Sequence, residues 1–164
     1  MVLLMLPIMA SAQNKVAITD KFSVEGKIEQ PFEFSLNDAV NFKTQSIDSV
    51  VITNHLMERR STIKSIKGIL LKDVLSKMEI DAESPKVMSE FYLTCVATDN
   101  YKVVFSWNEL FNSETGNHVL IITEKDGKLA EVTDDRILLV SPTDRATGRR
   151  YVKGLQKIIV SRTN

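Results

Sequence analysis

The sequence predicts an α+β domain, built from many short and mostly antiparallel β-strands with a few short helices. Three observations carry this prediction. Apolar residues alternate with polar ones over several short segments, which is typical of half-buried strands. Turn-forming pairs such as Asp126-Gly127 separate these segments. The length of 164 residues fits one compact domain, with no repeat and no linker-like change of composition.

The first half of the chain combines extended segments with two helices. The extended segments, rich in alternating apolar residues, are 22–28, 32–34 and 46–53. Ser35 is a suitable N-cap for a short helix over 36–42. A second helix is predicted over 68–78, because apolar residues recur there at helical spacing. The polar and basic segment 54–67 is predicted to form an exposed hairpin or a loop.

The second half is predicted to be mainly strands. They are 91–98, 102–105, 119–123, 137–140 and 155–160. The turn Asp99-Asn100-Tyr101 joins the first two as a hairpin. Ser106 and Glu109 have the spacing of a capping box, which predicts a short helix through Phe111.

The N-terminus carries the pattern of a secretory signal. Residues 1–9 are almost wholly apolar, and Ala10 and Ala12 match the A-x-A cleavage pattern. The run is shorter than the roughly 20 residues that cross a bilayer as a helix. We therefore expect a signal peptide at 1–12 and a single domain at 13–164 that is exported to the periplasm or secreted, without stable membrane insertion after cleavage. No Lys or Arg precedes the run, and a buried N-terminal strand or helix is the alternative.

Charge and cysteine content exclude several function classes. The 21 Lys and Arg residues balance 21 Asp and Glu residues, which argues against a nucleic-acid-binding protein. A single cysteine excludes an internal disulfide framework and a Cys-rich zinc site. Cys95 lies in an apolar strand-like run, so we expect it to be buried.

No residue is predicted to be catalytic or to bind a metal. The motifs of dinucleotide-binding, P-loop, zinc-protease and serine-hydrolase sites do not occur in the sequence. The two histidines, His55 and His118, are far apart and adjoin predicted strands or loops. Both are predicted to lie at the surface or in satisfied edge positions.

Although the net charge of the chain is zero, two of its segments carry opposite net charges. Residues 109–135 have a net charge of −5, and residues 141–164 have a net charge of +5. The basic segment includes a loop in which Arg145, Arg149 and Arg150 surround Gly148. Arginines beside exposed glycine backbone suit phosphate or carboxylate groups. The alternative, a solvated basic face that pairs with the acidic segment, is favoured by the spacing alone.

Five segments, in order, resemble the oxidoreductase molybdopterin-binding domain family, which has the sulfite-oxidase-like fold. They span nearly all of 22–160, as in a small stand-alone form of that domain. The matching segments are FSVEGKIEQPFEFSL at 22–36, GILLKDVL at 68–75, DNYKVVFS at 99–106, RILLVSP at 136–142 and GRRYVKGLQKI at 148–158.

The resemblance implies a sulfite-oxidase-like fold, and it also implies redox chemistry at a molybdenum held by a cysteine thiolate. In the family that cysteine follows the second strand, whereas the corresponding segment here, 54–60, contains none. Cys95 lies in a later strand. Without the soft thiolate ligand, the resemblance implies the fold without the catalysis of the family.

The closing motif of the family resembles a cradle for the pterin phosphate. By this resemblance, the residues implied to bind the cofactor or another anion are Arg149, Arg150, Val152 and Lys153, with Arg145 adding charge beside them. Molybdopterin itself is implied by the resemblance alone.

Three functions follow as hypotheses. The first is an exported, non-catalytic binding protein for a pterin or another small anionic ligand. The second is a molybdopterin-dependent oxidoreductase, or a subunit of one, with rearranged metal ligation. The third is a cell-envelope module that binds a protein partner.

Overall fold

The computed structural model describes residue 17 and residues 19–163. The segment predicted to be a signal peptide, 1–12, lies outside the described residues. The α+β class is confirmed, since two β-sheets and short helices make up the described chain. Within that part of the chain, no helix combines the length and the apolar character needed to cross a bilayer.

The secondary structure consists of short elements throughout. In chain order the strands are β1 (Lys21–Gly26), β2 (Phe32–Ser35), β3 (Thr44–Thr53), β4 (Arg59–Leu70), β5 (Phe91–Ala97), β6 (Lys102–Ser106), β7 (Leu120–Lys125), β8 (Lys128–Leu129), β9 (Leu138–Val140), β10 (Tyr151–Val152) and β11 (Leu155–Arg162). The α-helices are α1 (Leu71–Val74) and α2 (Trp107–Phe111). Turns of 3₁₀ helix lie at Leu36–Asn41, Leu75–Lys77, Pro85–Glu90, Glu114–Asn117, Ala130–Val132 and Thr147–Arg150.

The strands form two sheets. The first has the order β2-β1-β11-β5-β6, and the second has the order β10-β9-β7-β4-β3, with β8 paired to β7. Strand β1 runs parallel to β11, and the other pairings are antiparallel. The parallel pair joins the two ends of the described chain, because β11 lies between β1 and β5 in the middle of the first sheet.

Two apolar clusters hold the sheets together. The larger cluster combines residues of both sheets with α1 and α2, and the smaller one covers the opposite face of the second sheet. Strand β7 contributes to both, with Ile121 in the larger cluster and Leu120 and Ile122 in the smaller. This alternation follows from the two-residue period of a strand. Burial of both faces of β7 explains the continuous apolar run in its sequence.

The helix predicted over 68–78 is present but begins later. Gly68, Ile69 and Leu70 belong to β4, where they pair with β7. A Cβ atom at Gly68 would lie 2.8 Å from the carbonyl oxygen of Ile121, so the close approach of the two strands requires glycine. The α-helix then covers only Leu71–Val74, followed by a 3₁₀ turn. Ile69 and Leu70 are apolar because the end of β4 is buried on both faces, and not because they lie on the buried face of a helix.

The predicted hairpin in 54–67 is confirmed, and the loop alternative is wrong. A turn over 54–58 leads into β4, which pairs with β3 over its whole length and with β7 only from Lys67 onward. The first part of β4 therefore lies at the free end of a two-stranded hairpin, and most of its residues are exposed. This exposure accounts for the polar sequence of the segment.

Both predicted N-caps are confirmed. Ser35 forms a capping box with Asp38, although the element it starts is a 3₁₀ helix over Leu36–Asn41. Ser106 and Glu109 form the second capping box at α2. Such a pair satisfies two backbone N–H groups that the first turn of a helix leaves without partners.

Candidate functional site

A wide, open cleft of about 490 Å³ lies where the tip of the β3–β4 hairpin meets the 3₁₀ helix Thr147–Arg150. Three separate parts of the chain form it, including the turn between β5 and β6. The lining residues are Ile52, Thr53, Asn54, His55, Arg60, Tyr101, Gly148, Arg149 and Tyr151. The cleft therefore unites the turn between β3 and β4 with the basic loop singled out in the sequence.

The basic loop is fixed against the end of β3. The buried Thr147 hydroxyl donates to the Val51 carbonyl at 2.7 Å and accepts from the Thr53 N–H at 3.0 Å. At the next position, a Cβ atom on Gly148 would lie 2.2 Å from the carbonyl oxygen of Thr53. Only glycine allows this approach, so the floor of the cleft depends on Gly148.

Tyr101 holds the same loop from the other sheet. Its hydroxyl donates to the Arg149 carbonyl at 2.6 Å. Its backbone follows a tight turn in which Asn100 has a φ of 66° and the Asp99 carboxylate accepts from the Tyr101 N–H. Burial raises the pKa of Tyr101. The positive charge of Arg149 opposes this shift, and the negative charge of Asp99 adds to it. The phenol therefore stays protonated and remains a donor at neutral pH.

Two arginines give the cleft its charge. Arg60 and Arg149 are exposed, and the cleft lining includes no Asp or Glu. Neither arginine forms an ion pair with any of the described residues. Guanidinium groups in this state have donors available for a planar carboxylate or for phosphate oxygens.

Arg150 turns away from the cleft lining and is bound by acidic side chains. Its Nε lies 2.6 Å and its Nη2 lies 2.5 Å from the two carboxylate oxygens of Asp144, and its Nη1 lies 3.0 Å from Glu109. The guanidinium also stacks over the Phe105 ring, 4.4 Å from its centroid. Asp144 in turn accepts from the buried Ser141 hydroxyl. Arg150 is thus the centre of a network that ties the basic loop to α2.

The pKa values within this network agree with its geometry. Burial alone would raise the pKa of Glu109, but bonds from the Ser106 N–H and from Arg150 lower it overall. Hydrogen bonds to Asp144 and Glu109 raise the pKa of Arg150. Both partners are therefore charged at neutral pH, and the network remains an ion pair.

The other three predicted residues lie in different surroundings. Lys153 contacts Asp135 at 3.0 Å, Val152 is fully buried, and Arg145 is exposed. Lys153 and Arg150 form ion pairs with the acidic segment, as the alternative reading of the charges expects. Arg149 instead lines the cleft. Cofactor binding by these five residues stays a prediction.

The thiol is placed where it cannot ligate a metal in the cleft. Cys95 is fully buried in β5, as predicted, and burial raises its pKa to about 12. Within the described part of the chain, no group of three or more His, Cys, Asp or Glu side chains could hold a metal ion. The side chains present therefore do not fit the thiolate-held molybdenum of the family.

The surface positions predicted for the histidines are confirmed. His55 is exposed at the mouth of the cleft, and the partly exposed His118 contacts Glu114 at 3.1 Å. Sequence reasoning missed Arg60, Tyr101 and Tyr151 as neighbours of the basic loop. The available signal for Arg60 was the pair Arg59-Arg60 within the polar segment 54–67.

Asp135 makes a testable contribution to acid stability. Burial would raise its pKa, but bonds from Lys125 and Lys153 lower it overall. Its stabilising effect is therefore complete above the ordinary carboxyl pKa of about 4 and is lost as pH falls through the lower folded value. We expect Asp135→Asn to be less stable than wild type in urea at pH 7, with the difference shrinking below pH 4. The exposed neighbour Asp134 serves as the control. An equal loss of stability in Asp134→Asn would contradict this assignment.

Comparison with known proteins identifies the fold of the chain. No family model matches the chain, and no curated protein matches it. Among solved structures, the chain is similar to the sulfane dehydrogenase SoxCD from Paracoccus pantotrophus, with a TM-score of 0.64 and 12% sequence identity. The match covers 89% of this chain and 40% of that chain, so this chain spans less than half the length of the one it resembles. The fold is therefore a distant variant of the sulfite-oxidase-like molybdopterin-binding domain.

Proposed function

We propose that the chain is a non-catalytic binding protein that holds a small anionic ligand in the cleft. The single observation that carries this proposal is the pair Arg60 and Arg149, which line an open cleft without an acidic lining residue. Two guanidinium groups that line the same cleft favour phosphate or carboxylate groups, because each guanidinium can form two parallel hydrogen bonds to such an anion.

The remaining lining residues suit a ligand with a flat body and an anionic end. Tyr101 and Tyr151 offer aromatic surface, and His55 adds a ring that can donate or accept. Gly148 lets the basic loop lie directly against β3, which places Arg149 beside the end of that strand. The volume of about 490 Å³ lies in the range of small-molecule sites. A pterin phosphate is one ligand with these properties.

Export is the second part of the proposal. It is supported by the apolar run over 1–9 and the A-x-A pattern at Ala10 and Ala12. N-terminal sequencing of the protein purified from its host is the direct test. A mature chain that begins near Gln13 is the expected result, and a retained Met1 contradicts processing.

Redox catalysis on a molybdopterin is the rival proposal, supported by the likeness to a sulfane dehydrogenase. The residues of the cleft suit the phosphate end of such a cofactor better than its metal, because the thiol of Cys95 is buried in β5. Metal analysis of protein from its native host separates the two. Stoichiometric molybdenum would overturn the non-catalytic proposal, and its absence from a host that makes the cofactor would overturn the rival.

The cleft is tested with the double variant Arg60→Ala and Arg149→Ala. We expect calorimetric affinity for pyrophosphate to fall at least about tenfold, since each charged hydrogen bond contributes on the order of 1.5–3 kcal/mol. The control is Lys43→Ala with Lys128→Ala, which removes two exposed cations outside the cleft lining. Equal affinities of the two double variants would contradict the proposal.

A further inference from the structure

The tip of the β3–β4 hairpin exposes two large apolar side chains. Leu56 and Met57 lie in the turn over 54–58, with exposed fractions of 62% and 64%. Single exposed apolar residues are common on protein surfaces, but an adjacent pair at a protruding turn contacts water from several sides. The tip is the part of the hairpin farthest from the pairing of β4 with β7.

The turn holds these side chains in a fixed arrangement. The Asn54 side-chain oxygen accepts from the N–H groups of Leu56 at 2.9 Å and Glu58 at 3.0 Å. The Asn54 amide donates to the Glu58 carboxylate at 2.7 Å. Met57 has a φ of 62°, a conformation that favours glycine or asparagine. The geometry of the turn therefore presents the Met57 side chain at the tip at a conformational cost.

Two arginines follow the apolar pair along the chain, directly after Glu58. Arg59 and Arg60 follow the turn directly, and Lys64 lies farther along β4. None of the three forms an ion pair within the part of the chain that the structure describes. Lys67, near the body of the domain, is instead bound to Glu124 at 2.7 Å. The cations of the tip are therefore available for an external anionic surface.

We propose that this hairpin tip docks the protein reversibly on an anionic phospholipid bilayer. Leu56 and Met57 enter the boundary between headgroups and acyl chains, and Arg59 and Arg60 contact lipid phosphates. Apolar residues beside basic ones are the combination that holds peripheral proteins at membrane surfaces. A protein partner is less favoured, because a stable interface covers about 800 Å² on each side, far more than two side chains on a narrow turn.

The docking proposal goes beyond anion binding in the cleft, with which it shares Arg60 but not Leu56 or Met57. The test is co-sedimentation of the full chain with vesicles of phosphatidylglycerol and phosphatidylcholine. We expect binding to vesicles rich in phosphatidylglycerol, little binding to pure phosphatidylcholine, and weaker binding as salt increases. In the variant Leu56→Gln with Met57→Gln, binding to the anionic vesicles falls at least fivefold. Pyrophosphate binding in the cleft stays unchanged in that variant, which separates the two proposals.

Matched variants make the result specific. Val40 and Val132 are also highly exposed, at 85% and 73%, but Val40 lies near the opposite end of β3 from the tip. Val40→Gln with Val132→Gln also removes two exposed apolar side chains, and we expect it to leave vesicle binding unchanged. A thiol introduced by Met57→Cys can be labelled selectively, because Cys95 is fully buried. An environment-sensitive dye at that position shifts to the blue on anionic vesicles.

Three outcomes would overturn the proposal. The first is that the protein binds neither kind of vesicle. The second is that the variant Leu56→Gln with Met57→Gln binds anionic vesicles as strongly as wild type, because charge alone then accounts for the binding. A dye at position 57 that responds to a second copy of the chain or to another protein, but not to vesicles, assigns the tip to protein docking instead.

Discussion

Replacement of Arg150 by methionine lowers the free energy of unfolding by about 3 kcal/mol, which lowers the melting temperature of a domain of this size by about 6–12 °C. The variant leaves Asp144, whose side chain is only 15% exposed, without its cation. Glu109 loses its ion pair in the same step, and the Phe105 ring loses the stacked guanidinium. Differential scanning calorimetry at pH 7 measures the effect.

A second arginine in the same loop provides the control for this prediction. Arg145 is exposed, so Arg145→Met should change stability by less than about 0.5 kcal/mol. Arg150→Lys keeps the charge but not the bidentate geometry, and should give an intermediate loss. Equal melting temperatures for the two methionine variants would mean that the network carries no stability. A defect in ligand binding upon loss of Arg150 therefore has to be separated from unfolding, whereas Arg149 tests the cleft directly.

The substitution Gly148→Ala lowers stability by about 3 kcal/mol and also removes ligand binding. The added methyl group would meet the backbone carbonyl of Thr53 at 2.2 Å, and a backbone atom of a paired strand cannot give way as a side chain can. The upper range of overpacking costs therefore applies. The 3₁₀ helix has to move away from β3, and the cleft loses the alignment of its two sides. Urea unfolding and pyrophosphate titration measure the two effects.

A surface glycine distinguishes this effect from the general cost of losing a glycine. Gly127 has open space around its Cα atom and a φ of 74°, which asparagine tolerates. Gly127→Asn should cost at most about 1 kcal/mol, from backbone strain alone, and should leave binding unchanged. If Gly148→Ala behaves like this control, the contact between the basic loop and β3 does not shape the cleft.

Elements with local signals were predicted well. The capping boxes at Ser35 and Ser106 need only residues three positions apart, and the turn at Asn100 needs only its own residues. For β4 the sequence left a hairpin and a loop both open, because its first part is polar and Ser65, with a φ of 47°, interrupts its alternation. The length of the predicted helix was wrong because Ile69 and Leu70 are buried by pairing with β7, which no local pattern reports.

The candidate site was predictable only in part, for a related reason. The basic loop is visible as a cluster of arginines, and Arg149 does line the cleft. Arg60 and Tyr101 reach the same cleft from segments far apart in sequence, and only the topology brings them together. The partner of Arg150 across the domain is Glu109, 41 positions away, so sequence spacing could not separate a structural arginine from a ligand-binding one.

The position of β11 in the first sheet determines when the domain can fold. The strand that fills the gap between β1 and β5 is Leu155–Arg162, so this sheet stays incomplete until residue 162 has left the ribosome. Pairings between distant parts of a chain also form slowly, on the order of milliseconds to seconds in β-rich domains. The first sheet therefore has no complete folded state while the chain is being made, and β1 and β5 come to lie in one sheet only when β11 pairs with both.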